Sequence, residues 1–193
     1  MNEFFSQMRS AIMGTAMLAV VCCGIYPVLV YGLGRAFADK ADGSIIFDEK
    51  GVVRGSKLIG QNFTAAKYFH PRPSSAGNGY DATSSGGSNL GPTSKKLADA
   101  IAQNLADYRS QNGLATNADV PADAVTGSAS GLDPHISLEN ATLQAPRVAK
   151  ERGMKVEDVG TMIVRYTDSP DLGFLGDAGV NVLRLNLALD GVK

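Results

Sequence analysis

The chain has 193 residues, enough for one domain and an appendage, with 44% hydrophobic and 19% charged residues, ordinary values for a folded protein. A formal net charge of -1 leaves no electrostatic footprint for nucleic acid. Aromatic residues are 7% of the chain and Trp is absent, so stacking platforms for bases or sugars are not expected.

The first predicted element is a membrane helix. Residues 10–34 read SAIMGTAMLAVVCCGIYPVLVYGLG, 25 residues without a charge, bracketed by Arg9 and Arg35. At ~1.5 Å per residue such a helix exceeds a hydrocarbon core of roughly 30 Å. Gly14, Gly24 and Pro27 suit a membrane helix better than a soluble one. Pro27 removes a backbone donor and predicts a kink. Ala36-Phe37-Ala38 mimics a signal-peptidase site, but the apolar run is longer than the roughly 7–15 residues of a cleaved signal, so the reading is a retained anchor behind a short tail, residues 1–9. Arg9 on one side against Arg35 and Lys40 on the other gives no clear orientation and slightly disfavours a cytoplasmic N-terminus. Both cysteines, Cys22 and Cys23, lie inside this helix, so cysteine usage says nothing of redox compartment.

Residues 39–193 read as one soluble domain of mixed α/β type, so the fold class is α+β behind a single N-terminal transmembrane helix. SIIF (44–47), the turn DEKG (48–51) and VVRGSKLIG (52–60) predict a β-hairpin. Residues 92–113 predict a helix with Leu97, Ile101, Leu105 and Tyr108 as its apolar stripe and Gly113 as its stop. A second helix is expected over 137–153, capped by Ser137, stopped by Gly153 and bent by Pro146, and a third over 156–166. VNVLRLNLAL (180–189) places Val180, Val182, Leu185, Leu187 and Leu189 near period two and predicts a strand.

Two long stretches, 70–94 and 120–137, show no period and are rich in Gly and Ser. Loops of this length in a compact domain are usually functional or disordered. Within the first, Gly86 to Gly91 has the G-x-x-x-x-G spacing of a phosphate-binding loop, but Pro92 stands where the lysine is needed. Lys95 and Lys96 come about one helical turn too late. The better reading is a contact loop in which Ser88 and Asn89 make polar caps or subunit contacts, with Arg72, Asp133 and His135 as further contact candidates. The rival reading is an ordered coil packed on its own protein.

Chemistry-bearing patterns are few. His70 and His135 are the only histidines, and no spacing suggests a metal site. Ser130, Asp133 and His135 lie too close in sequence for a catalytic triad, and no G-x-S-x-G elbow exists, so no catalytic residues are assigned. Asp133-Pro134 reads as a turn leading to the Ser137 cap. Gln144 and Arg147 read as a solvated or loop-pinning pair.

GSKLIGQNF (55–63), YFHPRPS (68–74), SGGSNLGPTS (85–94), VTGSASGLDPHIS (125–137), QAPRVAKERG (144–153) and VNVLRLNLALD (180–190) occur in this order behind one membrane helix. Together they resemble the C subunit of the Kdp-type potassium-importing ATPase over nearly the whole chain. The resemblance implies an accessory subunit in a bacterial or archaeal membrane. Its implied partners are a channel-like potassium-binding subunit, a P-type ATPase subunit and a very small fourth subunit, with ATP and potassium handled by the complex and no cofactor bound firmly by this chain. The family's C subunit is described as a catalytic chaperone raising the pump's ATP affinity, and a glutamine-bearing motif is linked to nucleotide contact. On this sequence that motif implies Gln144, with Arg147 beside it. The family topology also implies a cytoplasmic N-terminus and an extracytoplasmic domain, where ATP is out of reach. Two mechanisms therefore stay open: a nucleotide effect through Gln144, or a cap over the ion entrance acting on assembly and conformation. A free-standing ligand-binding ectodomain and a membrane-tethered enzyme are the rival classes.

Overall fold

A computed structural model describes residues 2–191. The chain divides into two compact units, Met1–Ser44 and Ile45–Lys193.

The first unit is helical: α1 (Asn2–Ala19), a π-helical segment (Val20–Ile25), α2 (Tyr26–Arg35) and the short α3 (Ala38–Ala41). The stretch Gln7–Arg35 is long and apolar enough to cross a membrane. The irregularity expected at Pro27 falls in the turn before it. Proline has no N–H, and its ring crowds the carbonyl four residues earlier, here that of Cys23; the wider π turn relieves that clash.

The second unit opens with an antiparallel pair, β1 (Ile45–Phe47) and β2 (Val53–Ser56), shorter than the sequence suggests. Its register shifts between Ile46 and Phe47. Asp48 closes the turn by accepting the Lys50 and Val52 amides and pairing with Arg54 at 2.7 Å. Helix α4 (Lys95–Asn112) follows the first long loop, and α5 (Ala122–Val125) is a single turn inside the second. β3 (His135–Ile136), α6 (Leu138–Arg152), α7 (Val156–Arg165), β4 (Thr167–Asp168), β5 (Gly179–Asn181) and α8 (Val182–Leu189) complete the order. Gly113 and Gly153 end α4 and α6 in left-handed conformations, φ 64° and 63°, which glycine adopts without a Cβ penalty. Helix α6 runs through Pro146, whose face is exposed.

β5 lies between β3 and β4 in an antiparallel sheet, pairing His135 with Asn181 and Asp168 with Gly179. The main core is built from Phe69, Ile136, Ala141, Ala145, Val148, Val159, Ile163, Val180 and Leu185. A smaller cluster of Tyr108, Ala124 and Val125 joins α4 to α5.

The predicted strand over 180–189 is a correction. Only Gly179–Asn181 is strand, and Val182–Leu189 is a helix. Asn181 caps it, its side chain accepting from the Arg184 amide at 3.1 Å. Val182, Leu185 and Asn186 then recur at helical spacing and are buried with Leu183. In so short an apolar run, alternation and helical period are hard to separate.

Candidate functional site

The first candidate lies on α6. Ser137 caps this helix, accepting from the Asn140 amide at 3.0 Å, and Asp123 braces the cap by accepting from the Ser137 hydroxyl and amide and from Asn140 Nδ2. Asn140, Gln144 and Arg147 then follow three or four residues apart on one face. Gln144 is 1% exposed. Its Oε1 accepts from His70 N and Arg147, both at 2.8 Å, and its Nε2 donates to His70 O at 3.0 Å and Asn140 Oδ1 at 2.9 Å. Those four bonds use the whole capacity of a carboxamide. Arg147 also donates to Asn112 Oδ1 at 2.9 Å, Tyr68 O at 2.9 Å and Ala66 O. From the opposite side, Asn186 accepts from Phe69 N at 2.8 Å and donates to Phe69 O at 2.9 Å. The backbone groups of two consecutive residues are thus gripped by two buried side-chain amides.

Burial and the Arg147 charge hold the His70 pKa below its ordinary value, so the ring is neutral at pH 7. Tyr108 donates to Asn140 Oδ1 at 2.8 Å, and burial, with Asp123 nearby, pushes its phenol pKa up. A cleft of about 190 Å³ opens beside the clamp, lined by His70, Pro71, Asn104, Asp107, Tyr108 and Gln144 among others.

The second candidate is a line of alternating charges. Arg72 pairs with Asp133 at 2.9 Å, Asp133 accepts the His135 amide at 2.9 Å, His135 Nε2 lies 3.0 Å from Asp168 Oδ2, and Arg184 reaches Asp168 Oδ1 at 2.7 Å. The His135 pKa is raised, by hydrogen bonding to Asp133 first and then, against the cost of burial, by Asp168. Asp168 is the closer carboxylate, since His135 Nδ1 and Asp133 are 3.8 Å apart. Burial opposes ionisation of both carboxylates, but their His135 and arginine contacts outweigh it and hold both pKa values down. Gly179 permits the bridge: a Cβ there would come within 2.9 Å of His135 Cβ.

Ser130 does not join His135. Its hydroxyl accepts from Leu132 N at 3.1 Å and lies 3.4 Å from Ser128 Oγ, while both ring nitrogens of His135 face carboxylates. Among the described residues, no group of three or more His, Cys, Asp or Glu side chains is arranged to hold a metal ion.

The glycine-rich loop packs on the second long loop. Gly86 N donates to Ser130 O at 2.9 Å, and Ser74 Oγ donates to Gly131 O at 2.6 Å. At Gly87 a Cβ would meet Ala129 O at 3.0 Å, and at Gly131, φ 67°, one would meet Ala76 N and Gly86 O at 2.7 Å. Close loop-to-loop approach accounts for these two glycines. Arg72 joins the same assembly through Gly127 O at 3.3 Å and its own carbonyl, which accepts from the Tyr80 hydroxyl at 2.6 Å. Ser88 and Asn89 are exposed, Asn89 at φ 51°, and no hydrogen bond or ion pair among the described residues ties them to either network. The seven sequence candidates therefore separate into Gln144 with Arg147, Arg72 with Asp133 and His135, and the outlying Ser88 and Asn89.

The family profile described as "KdpC: K+-transporting ATPase, c chain" matches residues 8–191. The chain belongs to the KdpC family. A protein of Mycobacterium tuberculosis strain H37Rv, named potassium-transporting ATPase KdpC subunit, is 54% identical over 95% of this chain and 97% of its own length. Equally named proteins of Nitratidesulfovibrio vulgaris strain Miyazaki F and Koribacter versatilis strain Ellin345 are 50% and 46% identical over 95% of this chain, covering 93% and 94% of theirs. With one membrane-spanning helix ahead of an α+β unit, this KdpC-family chain fits a membrane-bound subunit of the potassium-transporting ATPase.

Sequence reasoning missed Asn140, Asn186, Asp123, Asp168 and Arg184. Asn140 carried a usable signal, a polar residue four before Gln144 on an otherwise apolar helix face. Asp168 carried none, because the sheet register alone brings it to His135.

Proposed function

We propose that the chain acts as a non-catalytic accessory subunit whose C-terminal unit lies outside the cytoplasm. There it caps the potassium entrance and stabilises the assembly of the channel-like, P-type ATPase and small fourth subunits. ATP and potassium are handled by the complex, and the C subunit alters ATP affinity only through the pump's conformational equilibrium, by contacting its states unequally.

One observation carries this reading. Gln144, the residue on which a direct nucleotide contact would rest, is buried and spends all four of its hydrogen bonds inside its own chain. The cleft beside it, at about 190 Å³, is also smaller than the ~300–1,000 Å³ usual for ligand pockets.

The test is topological. Ser110 is exposed near the end of α4. A Ser110→Cys substitution, with Cys22 and Cys23 changed to serine, is expected to react with an impermeant maleimide in intact spheroplasts. Labelling only after lysis would place the unit in the cytoplasm and restore direct nucleotide contact as the leading mechanism.

A further inference from the structure

We infer that the β4–β5 hairpin is a docking finger that inserts an apolar tip into a socket rimmed by basic side chains on another subunit of the ATPase. The inference rests on the assembly role proposed above and names the surface that performs it.

Between β4 and β5 the chain reads SPDLGFLGDA (169–178). Leu172 is 83% exposed, Phe174 74% and Leu175 52%. Three large apolar side chains in four residues form a cluster, and clusters of that kind mark interaction sites more often than single exposed residues do.

The tip is ordered by its own bonds. Asp171 and Leu175 exchange backbone hydrogen bonds at 2.9 Å in both directions, and Gly173 N donates to Pro170 O at 3.0 Å. Leu172 sits at φ 54°, a left-handed conformation unfavourable for a residue with a Cβ. A left-handed backbone, held by the turn's own hydrogen bonds, thus presents a leucine side chain to solvent. The base of the finger is fixed as well, because Asp168 on β4 is held by His135 and Arg184.

Charge selects the occupant. Asp171 and Asp177 flank the three apolar residues, and residues 169–178 contain no Lys or Arg. Segments that settle on lipid surfaces carry Lys or Arg beside their apolar groups, so a bilayer surface is disfavoured. A second copy on a two-fold axis would place the same carboxylates against each other. An apolar socket with a basic rim satisfies both features, with Phe174 as the central anchor.

The test uses the full complex in membranes. Phe174→Asp is expected to lower recovery of the partner subunits about tenfold on affinity purification of this chain, a hot-spot-sized effect. Phe174→Leu should retain most of it. Both variants should keep the wild-type melting profile, since the side chain is exposed. A benzophenone amino acid at position 174 should cross-link to a subunit of the same ATPase, identified by mass spectrometry. Changing Asp171 and Asp177 together to lysine should also weaken recovery. Full recovery of the complex with Phe174→Asp would overturn the finger and leave the assembly role standing. Adducts with lipid alone, or with a second copy alone, would overturn it too. A wild-type chain that recovers no partner subunit would sink both readings.

Discussion

His135 reaches its second carboxylate only because position 179 has no side chain. Its pKa is raised in the folded state, so protonated His135 stabilises the fold, fully below its unfolded value of about 6.5. That contribution is lost as pH rises through the higher folded value. The stability difference between wild type and His135→Gln, measured by urea unfolding, should therefore be larger at about pH 6 than at about pH 8.5. Gly179→Ala should weaken the same pH dependence with His135 still present, and NMR titration should find the ring pKa closer to its ordinary value. The effect is separable from His70, whose pKa is lowered by burial and which loses stability in the opposite direction, as pH falls. An unchanged pH profile in His135→Gln would contradict this account.

At the scale of elements, α6 grips residues 66–70 through two side chains one turn apart. Gln144→Ala leaves His70 N and O without their partners and releases one arm of Arg147. Each buried group left unsatisfied costs about 1–3 kcal/mol, so a loss of roughly 2–4 kcal/mol is expected on unfolding. If ATP affinity in the complex falls while this stability is unchanged, Gln144 has a direct nucleotide role after all. The helix carrying the clamp was legible, since Ser137 and Gly153 state its start and stop; the side it buries, at Ala141, Ala145 and Val148, came from the structure. The loop carbonyls that the clamp holds, those of Ala66, Tyr68 and His70, were not legible, because no side-chain pattern encodes where a carbonyl points. The charge line was half legible: Arg72, Asp133 and His135 stood out around prolines and turns. Asp168 is 33 residues from His135 and meets it only through the register of β5. Alternation misread α8 because eight residues hold barely two helical turns.

For the whole molecule, the two long loops matter as one object. Residues 72–87 and 127–133 share carbonyls, hydroxyls and an ion pair, so most of the two stretches without period form an ordered coil, a layer packed on its own protein. That layer and the sheet share Asp133 and His135, which ties the base of the β4–β5 hairpin to the rest of the C-terminal unit. Ser88 and Asn89 are exposed, and no hydrogen bond or ion pair among the described residues ties them to this layer.

The grip of Asn186 on Phe69 spans 117 residues. A ribosome adding about 5–20 residues per second needs roughly 6–23 s to make that interval. Through all of it, Phe69 lacks the side-chain amide that seats its backbone. A chain stopped before Asn186 carries strands β1 to β5 and the Gln144 clamp but lacks the side-chain amide that seats Phe69. Release after Arg184 should yield a product digested by proteinase K within the time that leaves the full-length protein intact, and a truncated product of equal resistance would refute the point.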